Sequence, residues 1–409
     1  MTDYQIHTLS NGLRLVHQQI NHDNAVAHLG LIINTGSRDE LKKENGLAHF
    51  IEHVIFKGTK KRKAFHVLSR LEDVGAEITA YTSKEETVLQ AAFLSQHYER
   101  SLELMADIII NSTFPQKELD KEKEVVIDEI NSYKDSPSEQ IFDDFDLLLF
   151  PKHSLGLDIL GTKSQVRKFT QAEVLKFIKK HYLASEMVLS SVGNISVEKM
   201  IDLTEKYFSD LSSGTSKKKR IPPPAYQAIE IAKKKRVYQA HCIIGNRAYS
   251  IQEEKRAAFS LLNNYLGGPG LNSRLNLGIR EKYGFTYNLE SNYTALSDTG
   301  HFSVYLGTDH QYLERTIKLV HKELSLLRNV QLGPVQLRKA KQQIIGQIAI
   351  SEESNANKML NNGRSLLSFN KISTLESVNN KINSVSAELI QEVANEIFNP
   401  VKLSMLTYY

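Results

Sequence analysis

Residues 46–59 read GLAHFIEHVIFKGT and set His49, Glu52 and His53 within five positions of an otherwise apolar stretch. In a helix, residues four apart stand one above the other, about 6 Å along the axis. Both imidazoles can then reach one zinc ion at about 2.0–2.1 Å. Glu52 shares their face and stands beside the metal, placed to take a proton from a bound water rather than to ligate. The pattern is H-E-x-x-H with its order reversed, H-x-x-E-H. The competing reading is a structural histidine pair on a solvated face. Against it, residues 46–56 contain no Lys or Arg, and Ala48 and Phe56 flank the polar trio. The helix is expected to bury Leu47, Phe50, Ile51 and Val54 and to line a cleft with the other side.

A catalytic zinc needs a third protein ligand and an open position. In KEKEVVIDEI (121–130), Glu122, Val125, Val126 and Glu129 fall on one helical face, while Lys121, Glu124 and Asp128 point elsewhere. Carboxylates on an apolar stripe are costly unless paired or bound to metal. Solvated acids on an exposed helix edge are the alternative.

These helices must be held by something larger. Asn45 is the expected N-cap of the first, and Gly58 its stop. Strand-like runs open each half of the chain (LRLVHQQI and VAHLGLIINTGS; RVYQAHCIIGN), and others close them (MVLSSVGNI; KLSMLTYY). Between the halves, SSGTSKKKRIPPPAYQ combines small polar residues, four cations and three prolines, and reads as a linker. The segment 97–130 can be laid over 311–348, helix on helix, with Glu122 on Ala340 and Glu129 on Gln347. The second half has neither acid and no H-x-x-E-H. The expectation is an α+β chain of two homologous domains, each an antiparallel sheet covered by helices: 1–210, a linker 211–227, and 228–409.

The bulk properties narrow the rest. The net charge of +4 over 409 residues gives no global basic field for nucleic acid or membrane. The two KKKR runs, 217–220 and 233–236, lack an aromatic stacking platform, so no nucleic-acid partner is expected. GGPG (267–270) lacks the layout of a phosphate loop. The single cysteine, Cys242, excludes a disulfide framework. With no signal-like N-terminus and no apolar run of about 20 residues, a cytoplasmic protein without a membrane partner is expected.

Taken together, these residues resemble the pitrilysin-like (M16-type, inverzincin) zinc peptidases, the family of mitochondrial processing peptidase and insulin-degrading enzyme. GLAHFIEHVIFKGT looks like the family signature, and Glu129 follows His53 at the family's spacing for a third ligand. YKDSP (133–137), FPKHSLGLDILGT (150–162) and LNSRLNLGIREKYGFTY (271–287) are also familial, and the likeness runs from about Leu9 to the C-terminus. The resemblance implies one Zn2+ per chain held by His49, His53 and Glu129, with Glu52 as general base and Glu122 orienting the site from beside the ligands. It also implies that Arg280 and Tyr287 hold the substrate carbonyl, that substrates are short or unfolded peptides, and that the chain forms a homodimer. Two departures stand out. Thr79 occupies a position usually filled by asparagine, and GGPG replaces the long glycine-rich loop of some processing subunits. A non-catalytic scaffold or assembly subunit of the same fold is the alternative, but such members typically lose the zinc motif.

Overall fold

The computed structural model describes every residue except 1–3, 22–25, 215, 217 and 218. Lys217 and Lys218 of the first KKKR run therefore lie outside the described residues.

The first sheet has six strands: β1 (Gln5–Thr8), β2 (Arg14–Gln19), β3 (Val26–Ile33), β4 (Glu77–Thr82), β5 (Thr87–Leu94) and β6 (Met187–Gly193). Their order is β1-β2-β6-β3-β5-β4, which leaves β4 at an edge. Five more strands form the second sheet: β7 (Glu230–Lys233), β8 (Ala240–Ala248), β9 (Thr286–Ala295), β10 (Gly300–Thr308) and β11 (Ser404–Tyr408). Its order is β7-β11-β8-β10-β9. The duplication read from the sequence is visible here, because β2-β6-β3-β5-β4 and β7-β11-β8-β10-β9 run in the same order with the same senses. Each sheet departs from the expected all-antiparallel pairing at one place. Strands β2 and β6 pair in parallel, as do β7 and β11.

Helices α1 (Leu47–Val54), α2 (Ala64–Glu72), α3 (Tyr98–Asn111) and α4 (Gln116–Lys134) accompany the first sheet, and α5 (Pro137–Leu149) follows them in the chain. On β3, Ala27, Leu29, Leu31 and Ile33 alternate into the main core beneath α1, α2 and α3. The opposite face is also covered, by the helix Asn355–Phe369. A Cβ on Gly30 would meet Met359 Sδ at 2.3 Å, and one on Gly363 would meet Ile32 Cδ1 at 2.2 Å. Burial on both faces explains why VAHLGLII reads as an apolar run with little alternation.

The compact units are not the contiguous halves 1–210 and 228–409. The first comprises Met1–Ile130, Asp158–Arg220 and Ile350–Ser373; the second comprises Asn131–Leu157, Ile221–Ala349 and Thr374–Tyr409. The exchange is symmetric. Helix α5 carries Ile141, Phe145 and Leu149 on one face, and they pack with Ile243, Tyr305 and Leu406 of the second sheet. The helix Asn355–Phe369 does the same for the first sheet, with Leu366 against Val16 and Val188. Periodicity reveals that such a face is apolar, but not which sheet receives it. The boundary at Arg220/Ile221 falls inside the segment read as a linker, although Leu211 is buried in the first core.

Candidate active site

Helix α1 begins at an unusual corner. Gly46 sits at φ +92°, and a Cβ there would come within 2.6 Å of the Leu160 carbonyl oxygen, so only glycine fits. Asn45 does not cap the helix; its amide donates to the Asp158 carbonyl at 2.8 Å. The cap comes from upstream. Glu40 accepts the backbone N–H of Ala48 at 2.7 Å through one oxygen and that of Gly46 at 3.0 Å through the other. These N–H groups lie in the first turn, where no partner within the helix is available to them. Burial pushes the Glu40 pKa up to about 8, with the hydrogen bonds from Ala48, Gly46 and Asn45 acting the other way. The helix ends at Val54, so Phe56 lies beyond it, and Gly58 (φ +129°) turns the chain into a short bridge with Lys63.

Leu47, Phe50, Ile51 and Val54 are buried, as expected, and His49 is buried with them. On α4, Glu122 and Val126 are buried and Glu129 is half-buried, but Val125 is exposed and does not belong to the inward face. His49, His53 and Glu129 converge. His53 Nε2 lies 3.3 Å from His49 Nε2 and 3.2 Å from Glu129 Oε2, and His49 Nε2 lies 3.6 Å from the same oxygen. Among the described residues this is the only group of three or more His, Cys, Asp or Glu whose ligand atoms gather closely enough to hold a metal.

The donor set fits zinc. Ligand atoms about 2 Å from a tetrahedral ion lie about 3.3 Å from one another, close to the three separations seen. Glu129 Oε2 is buried and has no hydrogen-bond partner among the described residues, although it faces both rings. An unsatisfied buried carboxylate oxygen aimed between two imidazole nitrogens is what a cation would satisfy. Two histidines and one glutamate also make a known catalytic donor set.

The surroundings move the two histidines in opposite directions. Burial, reinforced by the neighbouring His53, pulls the His49 pKa down to about 4, which keeps the neutral form that ligates. For His53, burial works the same way but is overridden by the carboxylates of Glu122 and Glu129, which raise it to about 9. His53 Nδ1 lies 3.1 Å from Glu122 Oε1, and Lys57 Nζ lies 2.8 Å from Glu122 Oε2. Burial would raise the Glu122 pKa, but these two partners hold it below the usual carboxylate range. Glu52 is raised chiefly by burial, with hydrogen bonds from Thr82 at the end of β4 opposing.

In the second unit Arg280 lies on a π-helical turn, Asn276–Glu281, a form often found at functional sites. Its guanidinium carbon stands 4.9 Å from the centroid of the Tyr287 ring. Both line a cleft of about 560 Å³ with Gly267, Gly268 and Leu271, and Tyr287 is 79% exposed. In this unit the helix Pro334–Glu352 matches α4 end for end, and buried Ala340 stands where α4 has Glu122. Thr79 is exposed on the edge strand β4, where its hydroxyl accepts from Gln90 at 3.3 Å. Reading the sequence missed Lys57 and Glu40. The first stands one turn past His53 within the signature itself; the second gives no local signal, since its partners lie six and eight residues on.

Two family models match successive parts of the chain. Residues 15–163 match insulinase (peptidase family M16), and residues 168–344 match the peptidase M16 inactive domain. An uncharacterized zinc protease of Bacillus subtilis, YmxG, is 32% identical over 96% of this chain and 95% of its own length. The chain belongs to peptidase family M16. Another family relative, an uncharacterized zinc protease of Rickettsia felis, is 31% identical over 99% of this chain and 97% of its own length. The beta subunit of the mitochondrial-processing peptidase of Bos taurus is 28% identical over 95% and 80%. Among solved structures, a protease from Helicobacter pylori superposes with a TM-score of 0.90 at 21% identity, covering 99% of both chains. A peptidase M16 inactive domain from Pseudomonas fluorescens gives 0.92 at 22%, covering 99% and 98%. These two establish the fold. No helix among the described residues is long and apolar enough to cross a membrane.

Proposed function

We propose that this M16 member is a zinc-dependent endopeptidase acting on short or unfolded peptides, with one zinc per chain held by His49, His53 and Glu129. The observation that carries the reading is the convergence of three ligand atoms on one point, one of them the unsatisfied Glu129 oxygen, with Glu52 on the same helix. When bound, zinc supplies Lewis acidity that activates water and polarises a carbonyl. Glu52 accepts the proton of the attacking water and returns it to the leaving amine. Its raised pKa suits that exchange, since a base must also be able to give the proton back. Glu122 accepts from His53 Nδ1, which leaves Nε2 free to ligate. Arg280 and Tyr287 donate hydrogen bonds to the substrate carbonyl oxygen as negative charge develops. The chain carries both sets of residues, and we propose that it works as a homodimer without a second kind of subunit.

The test is cleavage of a disordered peptide pool read by mass spectrometry, comparing zinc-loaded wild type with Glu52→Gln and with a chelator-treated sample. Internal cuts by wild type alone, with Glu52→Gln still retaining zinc, support the proposal. Zinc-loaded wild type that leaves every peptide intact overturns it.

A further inference from the structure

The segment between the repeats ends its basic run in an arginine held by anions far away in sequence. Arg220 is only 14% exposed, and its guanidinium fork is fully engaged within the first unit. Nε donates to Asp39 Oδ1 at 3.1 Å and Nη2 to Asp39 Oδ2 at 2.9 Å, a bidentate pair. Nη2 also donates to the Glu85 carbonyl at 2.7 Å, and Nη1 lies 3.6 Å from the Glu85 carboxylate. That carboxylate is shared with Arg38, whose side chain is buried, as is that of Asp39. Two cations and two anions therefore close a buried quartet.

What the quartet holds is specific. The loop 36–39 is laid against the turn between β4 and β5, with Ser37 N–H donating to the Ser83 carbonyl and Arg38 N–H to that of Lys84. The approach is so close that a Cβ on Gly36 would fall 2.3 Å from the Ser83 oxygen. Asp39 is followed directly by Glu40, the cap of α1. Glu85 lies three residues after Thr82, whose hydroxyl donates to the Ala48 carbonyl in the first turn of α1 at 3.4 Å. Arg220 thus grips both supports of α1, the loop that caps its first turn and the turn that leads to Thr82 beside it.

We propose that Arg220 is a positioning residue, clamping the inter-repeat segment onto the loop that seats α1 and the turn that leads to Thr82 against it. The inference rests on the proposed peptidase function only in naming what is positioned; the clamp itself is tested through metal binding. Lysine cannot replace the fork, since one ammonium cannot span the Asp39 carboxylate and the Glu85 carbonyl in the same geometry.

The experiment measures zinc affinity by competition with a chromophoric chelator and amide exchange at Gly46, Ala48 and Arg38, in full-length wild type, Arg220→Met, Arg220→Lys and Asp39→Asn. Peptide cleavage is recorded alongside. The expected result is a loss of about tenfold in zinc affinity for Arg220→Met, with faster exchange at all three amides. Arg220→Lys should recover only part of both, and Asp39→Asn, which keeps its volume, should reproduce the loss if Arg220→Met fails to fold. A fall in thermal stability with wild-type zinc affinity and wild-type exchange at these amides overturns the proposal, leaving Arg220 a merely structural tie. If no variant, wild type included, cleaves peptide, the endopeptidase reading fails while the affinity and exchange data still decide the clamp.

Discussion

Lys57 Nζ lies 2.8 Å from one oxygen of Glu122, and the other oxygen lies 3.1 Å from His53 Nδ1. A carboxylate free to rotate could offer either oxygen to the ring or turn away from it. Pinned by the lysine, Glu122 presents a fixed acceptor that holds a proton on His53 Nδ1 and keeps Nε2 turned toward His49 and Glu129. The polar groups around the candidate ligands thus fix which ring nitrogen would face a metal.

Replacing Lys57 should therefore weaken metal binding although the lysine touches no ligand. Lys57→Met is expected to lower zinc affinity about tenfold, within the range found when partners of metal-bound histidines are removed. Lys57→Arg, which keeps the charge, should fall between. Chelator competition at a pH of about 7.5 decides it, on the alkaline side of an ordinary histidine pKa. A methionine variant with wild-type affinity would show that Glu122 needs no such anchor.

Gly46→Ala should do more damage than its size implies. The residue combines φ +92° with a Cβ position 2.6 Å from the Leu160 carbonyl, and the opposing Gly161 (φ +71°) is equally tight. Neither backbone can yield without moving the first turn of α1. A stability loss of about 2–4 kcal/mol in denaturant unfolding is expected. Weaker zinc binding should accompany it, because His49 lies three residues on. Gly75→Ala, where φ is +70° but no atom stands within 4 Å, is the control for strain without the clash.

The candidate metal site is legible in the sequence because its residues are close along the chain. The histidine pair and Glu52 lie within one helical turn and a half, and Glu122 and Glu129 share a face of a single helix. Strands such as β3, β6 and β11 are equally plain from their apolar runs. What the sequence conceals depends on partners far along the chain. Glu40 caps α1 although Asn45 looks the better candidate, since capping is settled by where the loop passes rather than by residue type alone. Val125 points inward by spacing, yet the stripe of α4 is narrower than four positions. Chain order assigns the helices α5 and Asn355–Phe369 to their own halves, but their apolar faces are satisfied by the other repeat's sheet. Arg220 reads as one cation in a solvated run, and only the tertiary fold supplies its anions.

A pH-dependent contribution to stability is expected in the second unit. Burial would raise the Asp144 pKa, but the ammonium of Lys233 and the Tyr408 hydroxyl (2.7 Å) hold it below the usual range. A carboxylate whose folded pKa is depressed contributes stability above its unfolded pKa and loses it as pH falls through the folded value. Asp144→Asn should therefore cost about 1–2 kcal/mol at pH 7, a modest figure because Lys233 is 42% exposed and screened. The gap between variant and wild type should begin to narrow as pH falls below about 4 and close below the folded value. Urea unfolding at neutral pH and again at a pH of about 3.5 measures it. A gap that stays constant would mean the aspartate acts through packing alone.

Tyr287 tests the role assigned to the second unit without touching the metal. Its ring stacks with the Arg280 guanidinium while the residue stays 79% exposed, so the hydroxyl contributes little to the fold. Phenylalanine keeps the ring and hence the stacking partner of Arg280, and it removes only the donor. If that donor serves the developing oxyanion, Tyr287→Phe should lower kcat by about 10²–10³ with little change in KM, since the interaction strengthens in the transition state. Zinc affinity should be unchanged and stability should stay within about 0.5 kcal/mol of wild type. Arg280→Lys should be the worse substitution of the pair, losing both the planar stack and a donor. A rise in KM at constant kcat for Tyr287→Phe would reassign the hydroxyl to ground-state substrate binding, and unaltered kinetics would remove it from the site.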